Sequence, residues 1–133
     1  MGNKTLLSVL QAAAKAHAGV SKAAATGSGI DRHLTAMANN GTAAGIKLPA
    51  LYSDAKFQHS KNWHLSTSNG TGPYLSMFGF AAVITEGYGL GYLINNDNVS
   101  VVVSCWASYG KTDSVKMRDA VTATLKSMQK VAK

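Results

Sequence analysis

With 133 residues, nearly half apolar and 14% charged, the sequence has the composition of one modest folded domain rather than a disordered chain. It contains no run of 18 apolar residues, so no transmembrane segment is expected, and the single cysteine, Cys105, excludes an internal disulfide and suits a reducing compartment. Thirteen basic against six acidic residues give a formal charge of +7, yet the lysines are scattered, Arg32 and Arg118 are the only arginines, and no aromatic–basic stripe appears; a basic solvated surface is expected rather than a nucleic-acid interface.

The opening MGNKTLLSVLQ lacks the apolar core and cleavage pattern of a secretory signal, and Leu6 stands where a myristoylation pattern needs Ser or Thr. Lys4 to Thr26 is rich in Ala, Leu and Lys, and Leu6, Leu10, Ala13 and His17 recur at helical spacing, so a first helix is expected there. TGSG, Thr26–Gly29, breaks it. A second helix is expected from Ile30 to Asn39, with Ile30, Leu34 and Met37 on one face and Arg32 opposite. NNGTAAG then reads as a loop, and LPALYSD as a short helical turn opened by Pro49.

From Trp63 the pattern turns to strands. Four are expected: His64–Ser68, Phe80–Thr85, Gly89–Asn95 and Val99–Trp106. Between the first two lies NGTGP, a turn-rich loop, and NNDN, Asn95–Asn98, is a hairpin turn between the last two. Asp113 to Ala132 closes the chain as an amphipathic helix. Met117, Val121, Leu125, Met128 and Ala132 share its apolar face, with Thr112 or Asp113 as N-cap. The first strand raises a question of chemistry. In WHLSTSN, alternation places the hydroxyls of Ser66 and Ser68 on one face and Thr67 on the other. Spacing alone leaves two readings open: ordinary strand-end hydroxyls, or a pair of donors aimed at a ligand.

General enzyme motifs are missing. His17, His33, His59 and His64 form no zinc pattern with one another or with Cys105, and His33 and His64 read as structural. There is no G-x-S-x-G elbow and no P-loop. GYGLG, Gly87–Gly91, is not followed by a helix, so it is not a phosphate loop; its glycines suit a tight turn or a close backbone contact. Periodicity by itself supports no more than one α+β unit.

Longer stretches are more specific. GSGIDRHL (Gly27–Leu34), GIKLPALYSD (Gly45–Asp54), LSTS (Leu65–Ser68), FAAVITEGYGLGY (Phe80–Tyr92) and the closing helix follow the order and separation found at the C-terminal end of the choline/carnitine O-acyltransferases. Nearly the whole chain resembles that family, and LPALY with the loop after LSTS is most similar to its carnitine palmitoyltransferase branch. The resemblance implies an α/β fold of the chloramphenicol acetyltransferase type, here helices followed by a mixed sheet and a closing helix, with residues 1–133 as the C-terminal portion of a longer domain. It implies transfer of an acyl group between coenzyme A and carnitine, with acyl-CoA as substrate, no permanently bound cofactor and no metal. The family's general-base histidine, and the lysines that contact CoA phosphate, match nothing in this sequence.

Residue by residue, Arg32 in DRHL resembles the arginine that pairs with the carnitine carboxylate, which favours carnitine over choline. Ser66 resembles a carnitine-holding residue, and Ser68 the donor to the oxyanion of the tetrahedral intermediate. Phe80 and Val83 resemble the wall around the trimethylammonium group. Two departures stand out. Phe78 and Gly79 replace a Gly-Gly pair whose first position gates the acyl tunnel in long-chain members, so Phe78 is expected to narrow it. Ala82 replaces a proline. The chain is therefore expected to be inactive by itself, for want of the base. The alternative is a non-catalytic relic, or a subunit completing an active site with the remainder of the enzyme as a separate chain. A mitochondrial setting is implied by the resemblance only, and the closing VAK is not a peroxisomal address.

Overall fold

Three helices, three strands and a long closing helix follow one another along the chain. The computed structural model describes residues 3–132; Met1, Gly2 and Lys133, which the 1–133 expectation included, lie outside the described residues. Two compact units result. One gathers the chain up to His59 together with the last residues from Ser127, and the other is Ser60–Lys126.

In the first unit, α1 (Asn3–Ala25) ends where Gly27 turns to φ 84°. The Ser28 N–H then donates to the Ala23 carbonyl and the Gly27 N–H to the Ala24 carbonyl, which satisfies two of the orphan acceptors of the last turn. Helix α2 (Ile30–Ala43) runs beyond the expected stop at Asn39. NNG reads as a breaker, but a single mid-helix glycine costs only about 1 kcal/mol. The left-handed residue that ends α2 is instead Gly45, φ 68°, with Ile46 N–H donating to the Gly41 carbonyl and Gly45 N–H to the Thr42 carbonyl. Gly41 serves packing: a Cβ there would lie 2.8 Å from Leu48 Cδ2. Pro49 leads into the expected turn, a 3-10 segment at Ala50–Ser53. Tyr52 from this turn donates its hydroxyl to the Leu34 carbonyl at 3.1 Å and meets the edge of Phe57. A further short helix, α3 (Ala55–Ser60), was not expected; Asp54 Oδ1 caps it by accepting from the Lys56 and Phe57 amides.

The second unit is built on a three-stranded mixed sheet in the order β1 (Leu65–Asn69), β2 (Tyr88–Ile94), β3 (Val99–Cys105). Strands β1 and β2 are parallel, with Ser66 beside Gly89 and Ser68 beside Gly91. Strands β2 and β3 form the expected hairpin across NNDN, where Asn95 pairs with Asn98 through both backbone and side chain. After Asp113, whose carboxylate accepts from the Val115 and Lys116 amides, comes α4 (Ser114–Ala132). Its Val121 and Leu125 line an open apolar groove of about 290 Å³ with Thr67, Leu90, Tyr92, Ile94, Val99 and Val101, all on one face of the sheet.

The expected strand Phe80–Thr85 is not a strand. This stretch leaves the sheet plane and crosses the opposite face, over the glycines of β2. A Cβ on Gly91 would lie 2.6 Å from the Phe78 carbonyl oxygen and 2.8 Å from Gly79 Cα; one on Gly89 would lie 2.9 Å from the Phe80 carbonyl oxygen. Real side chains do not tolerate such approaches, so the segment can lie there only because β2 has no side chains at those two positions. GYGLG thus makes the close backbone contact foreseen for it, as part of a strand and not as a turn. The apolar core gathers here: Leu93 and Ala82 are 2% and 4% exposed, and they are the buried apolar side chains among the described residues.

Candidate functional site

Alternation in β1 sends Ser66 and Ser68 to one face, where both are half-buried, and Thr67 to the other, where it lines the groove beside α4. The two serines therefore occupy the face crossed by the Phe78–Ala82 segment, in register with the glycines beneath it. Neither serine hydroxyl has a hydrogen-bond partner among the described residues. A half-buried hydroxyl without a protein partner is available to water or to a ligand.

The crossing segment brings aromatic surface to this face. A Cβ on Gly70, two residues beyond Ser68, would lie 2.6 Å from the Phe78 ring, so that ring stands directly over the chain as it leaves β1. The Phe80 ring follows, its centroid 6.1 Å from that of Phe78 and inclined at 42°. Val83 sits where the segment bends away and is 55% exposed. Ser66, Ser68, Phe78 and Phe80 thus lie on one face of the second unit, with Val83 at its margin.

Arg32 belongs to the first unit. It lies in the first turn of α2, is exposed, and takes part in no ion pair among the described residues, so its guanidinium fork is unoccupied by protein carboxylates. His33 is likewise an exposed residue of α2. His64, just before β1, has its Nε2 4.0 Å from Glu86 Oε1, and its carbonyl accepts from the Tyr88 amide, continuing the β1–β2 ladder. No group of three His, Cys, Asp or Glu side chains suited to a metal ion occurs among the described residues.

Two residues that sequence reasoning passed over hold the crossing segment. Ser104 donates its hydroxyl to the Phe80 carbonyl at 2.6 Å, and Trp106 donates its indole N–H to the Ala82 carbonyl at 2.8 Å. These bonds stand in for the ladder that a fourth strand would have had. One signal was present in VSVVVSC: Ser100, Val102 and Ser104 share a face, and a hydroxyl opposite a glycine in the neighbouring strand has room for a third chain segment.

Residues 2–123 match the Choline/Carnitine o-acyltransferase family. Among individual relatives, a mitochondrial carnitine O-palmitoyltransferase 2 from Xenopus tropicalis is 39% identical over 101 residues, covering 76% of this chain and 15% of that protein. Its counterpart from Rattus norvegicus is 40% identical over 93 residues, 70% of this chain and 14% of that protein. A putative mitochondrial carnitine O-acetyltransferase from Saccharomyces cerevisiae is 38% identical over 103 residues, 75% of this chain and 15% of that protein. The chain thus spans about 15% of the length of the relatives it matches. Among the described residues no helix is long and apolar enough to cross a membrane.

Proposed function

The chain belongs to the choline/carnitine O-acyltransferase family, and from that premise we propose that it supplies the acceptor-binding and oxyanion-stabilising residues for acyl transfer between coenzyme A and carnitine. The observation that carries the reading is the pair of partnerless hydroxyls, Ser66 and Ser68, on a face roofed by Phe78 and Phe80. In this reading a base outside the chain takes the proton of the carnitine hydroxyl. The oxygen attacks the thioester carbonyl, and the Ser68 hydroxyl donates to the oxyanion that forms. The C–S bond then breaks, and the CoA thiolate leaves and recovers the proton. A fixed donor at that oxygen lowers the barrier by roughly 2.7–4 kcal/mol.

Ser66 holds the acceptor, and the Phe80 ring with Val83 faces its trimethylammonium group, an attraction of about 0.5–2 kcal/mol. Arg32 pairs with the carboxylate; support comes from its match to DRHL and from its exposed, unpaired guanidinium. A charge-assisted hydrogen bond of this kind contributes about 1.5–3 kcal/mol. Phe78, bulky and seated over Gly70, narrows the acyl tunnel and favours short acyl groups. The chloramphenicol acetyltransferase architecture, residues 1–133 as one portion of such a domain, and a mitochondrial setting belong to the same proposal; the relatives' names carry the last.

Without a base the isolated chain turns over acyl-CoA and carnitine at a rate indistinguishable from solvent, since general-base catalysis is worth roughly 10²- to 10⁴-fold. Steady turnover abolished by Ser68→Ala would overturn that expectation. Binding is tested separately by calorimetric titration. Arg32→Ala weakens carnitine at least about tenfold, as loss of a charged pair requires, and leaves choline unaffected. Equal loss for both ligands refutes the carboxylate role. A second reading, that the chain completes an active site with another polypeptide, is favoured by the sheet: among the described residues the outer edges of β1 and β3 pair with no strand. Co-purification with a polypeptide bearing the family's base separates it from a non-catalytic relic.

A further inference from the structure

The Phe78–Val83 segment has two properties that are seldom combined. It carries the aromatic surface of the candidate site, and it has no ladder of its own. Among the described residues, the hydrogen bonds that tether it to the sheet are those of the Ser104 hydroxyl to the Phe80 carbonyl and of the Trp106 indole to the Ala82 carbonyl. Both donors come from β3 and from the residue just after it, on the far side of β2 from the serines. Each bond grips the backbone at or within one residue of a proposed wall residue, Phe80 or Val83. Ser104 shares that face of the sheet with Ser66 but stands two strands away, across Gly89, and Trp106 follows β3, so neither touches the acceptor in this reading.

We infer that Ser104 and Trp106 are positioning residues, which set the height and orientation of the Phe80–Val83 wall over the Ser66–Ser68 face and so tune affinity for the quaternary ammonium end of the acceptor. The inference rests on the acceptor reading above. Three further details support it. Ser104 Oγ also lies 3.4 Å from the Gly89 carbonyl, so one hydroxyl ties the segment to the strand beneath it. A Cβ on Gly89 would lie 2.7 Å from Ser104 Oγ, so the glycine is what gives the hydroxyl room to reach across. Val102, on the same face of β3, packs where a Cβ on Gly79 would lie 2.6 Å from its Cγ1, which keeps the segment's start at a fixed height. A quaternary ammonium is attracted to the face of an aromatic ring only within about 6 Å of its centroid, so small displacements of the wall are felt in binding.

The test compares the full chain with Ser104→Ala and Trp106→Phe by two measurements. Backbone ¹⁵N relaxation reads the tether directly. In both variants the order parameters of the Ala81–Ile84 amides fall toward the flexible range, below about 0.6, while β2 stays near about 0.85. Titration with carnitine and with 3-hydroxybutyrate, its counterpart lacking the trimethylammonium group, reads the consequence. Each variant weakens carnitine about fivefold, the factor that one hydrogen bond of ordinary net strength represents, and leaves 3-hydroxybutyrate unchanged. A chain that binds no carnitine before mutation overturns the acceptor reading, and this inference with it. A chain that binds carnitine but loses both ligands equally, or keeps its order parameters, overturns the positioning role alone.

Discussion

Two stretches of the second unit run extended and close together, yet they are held in opposite ways. Strand β2 is bonded along both edges, to β1 and to β3. The segment Phe78–Ala82 lies directly on β2 and is held by two side chains of β3 and its end. A ladder fixes a strand through groups that every residue has, so the strand keeps its place whatever its side chains are. A segment held by side-chain donors depends on particular residues. It also leaves Phe78 and Phe80 half-buried, with ring surface available for a ligand, while Ala82 is buried in the core. Rigid scaffold and adjustable wall are thus separated within a few ångströms.

The sharpest way to break this contrast is Gly91→Val. The new side chain meets the Phe78 carbonyl and Gly79 Cα, which are backbone and cannot swing aside. Overpacking of this kind costs about 1–3 kcal/mol or more. Urea denaturation should show that loss, while the β2–β3 hairpin amides remain protected from exchange. Trp106→Phe comes next. It removes one donor and leaves the Ala82 carbonyl, in a residue 4% exposed, without its partner; the expected loss is about 1–3 kcal/mol. Gly19→Ala sharpens the comparison from the other side. Gly19 lies inside α1 with nothing within 4 Å of a Cβ, so the same kind of change should stabilise the chain by about 1 kcal/mol, read as a raised denaturation midpoint.

The smallest effect concerns acid. Asp113 is held below the usual carboxylate range, chiefly by the Lys116 backbone N–H; desolvation opposes this, and the Val115 amide and the Lys116 ammonium add to the lowering. A depressed folded-state value means that the stabilisation is present above the ordinary Asp value of about 3.9 and is lost as pH falls through the folded value. Circular dichroism of Asp113→Asn should therefore fall less steeply on acidification below about pH 4 than that of the parent chain. Equal slopes would assign the acid sensitivity to other groups.

Much of this organisation could be read from the residues. Three long helices, the NNDN hairpin and the serine alternation in β1 follow from periodicity and turn chemistry, which are local. What escaped is non-local. Phe80–Thr85 has strand-like residues, and nothing near it in sequence says that its carbonyls will be taken by Ser104 and Trp106, 24 residues further on. The end of α2 escaped for a related reason. Gly41 and Gly45 look equivalent in sequence, and only the contact of Gly41 with Leu48 tells the packing glycine from the terminating one. At the site, alternation foretold which hydroxyls share a face, whereas the roof above them depended on glycines in a strand that is distant in sequence.

The central claim is that the Ser66–Ser68 face under Phe78 and Phe80 receives the acceptor. Titrating ¹⁵N-labelled chain with carnitine tests it most directly. The account predicts saturable amide shifts confined in the second unit to Ser66–Ser68 and Phe78–Val83. Shifts centred on Leu90, Tyr92 and Val121, which line the groove on the opposite face, or no saturable shifts at all, would contradict it.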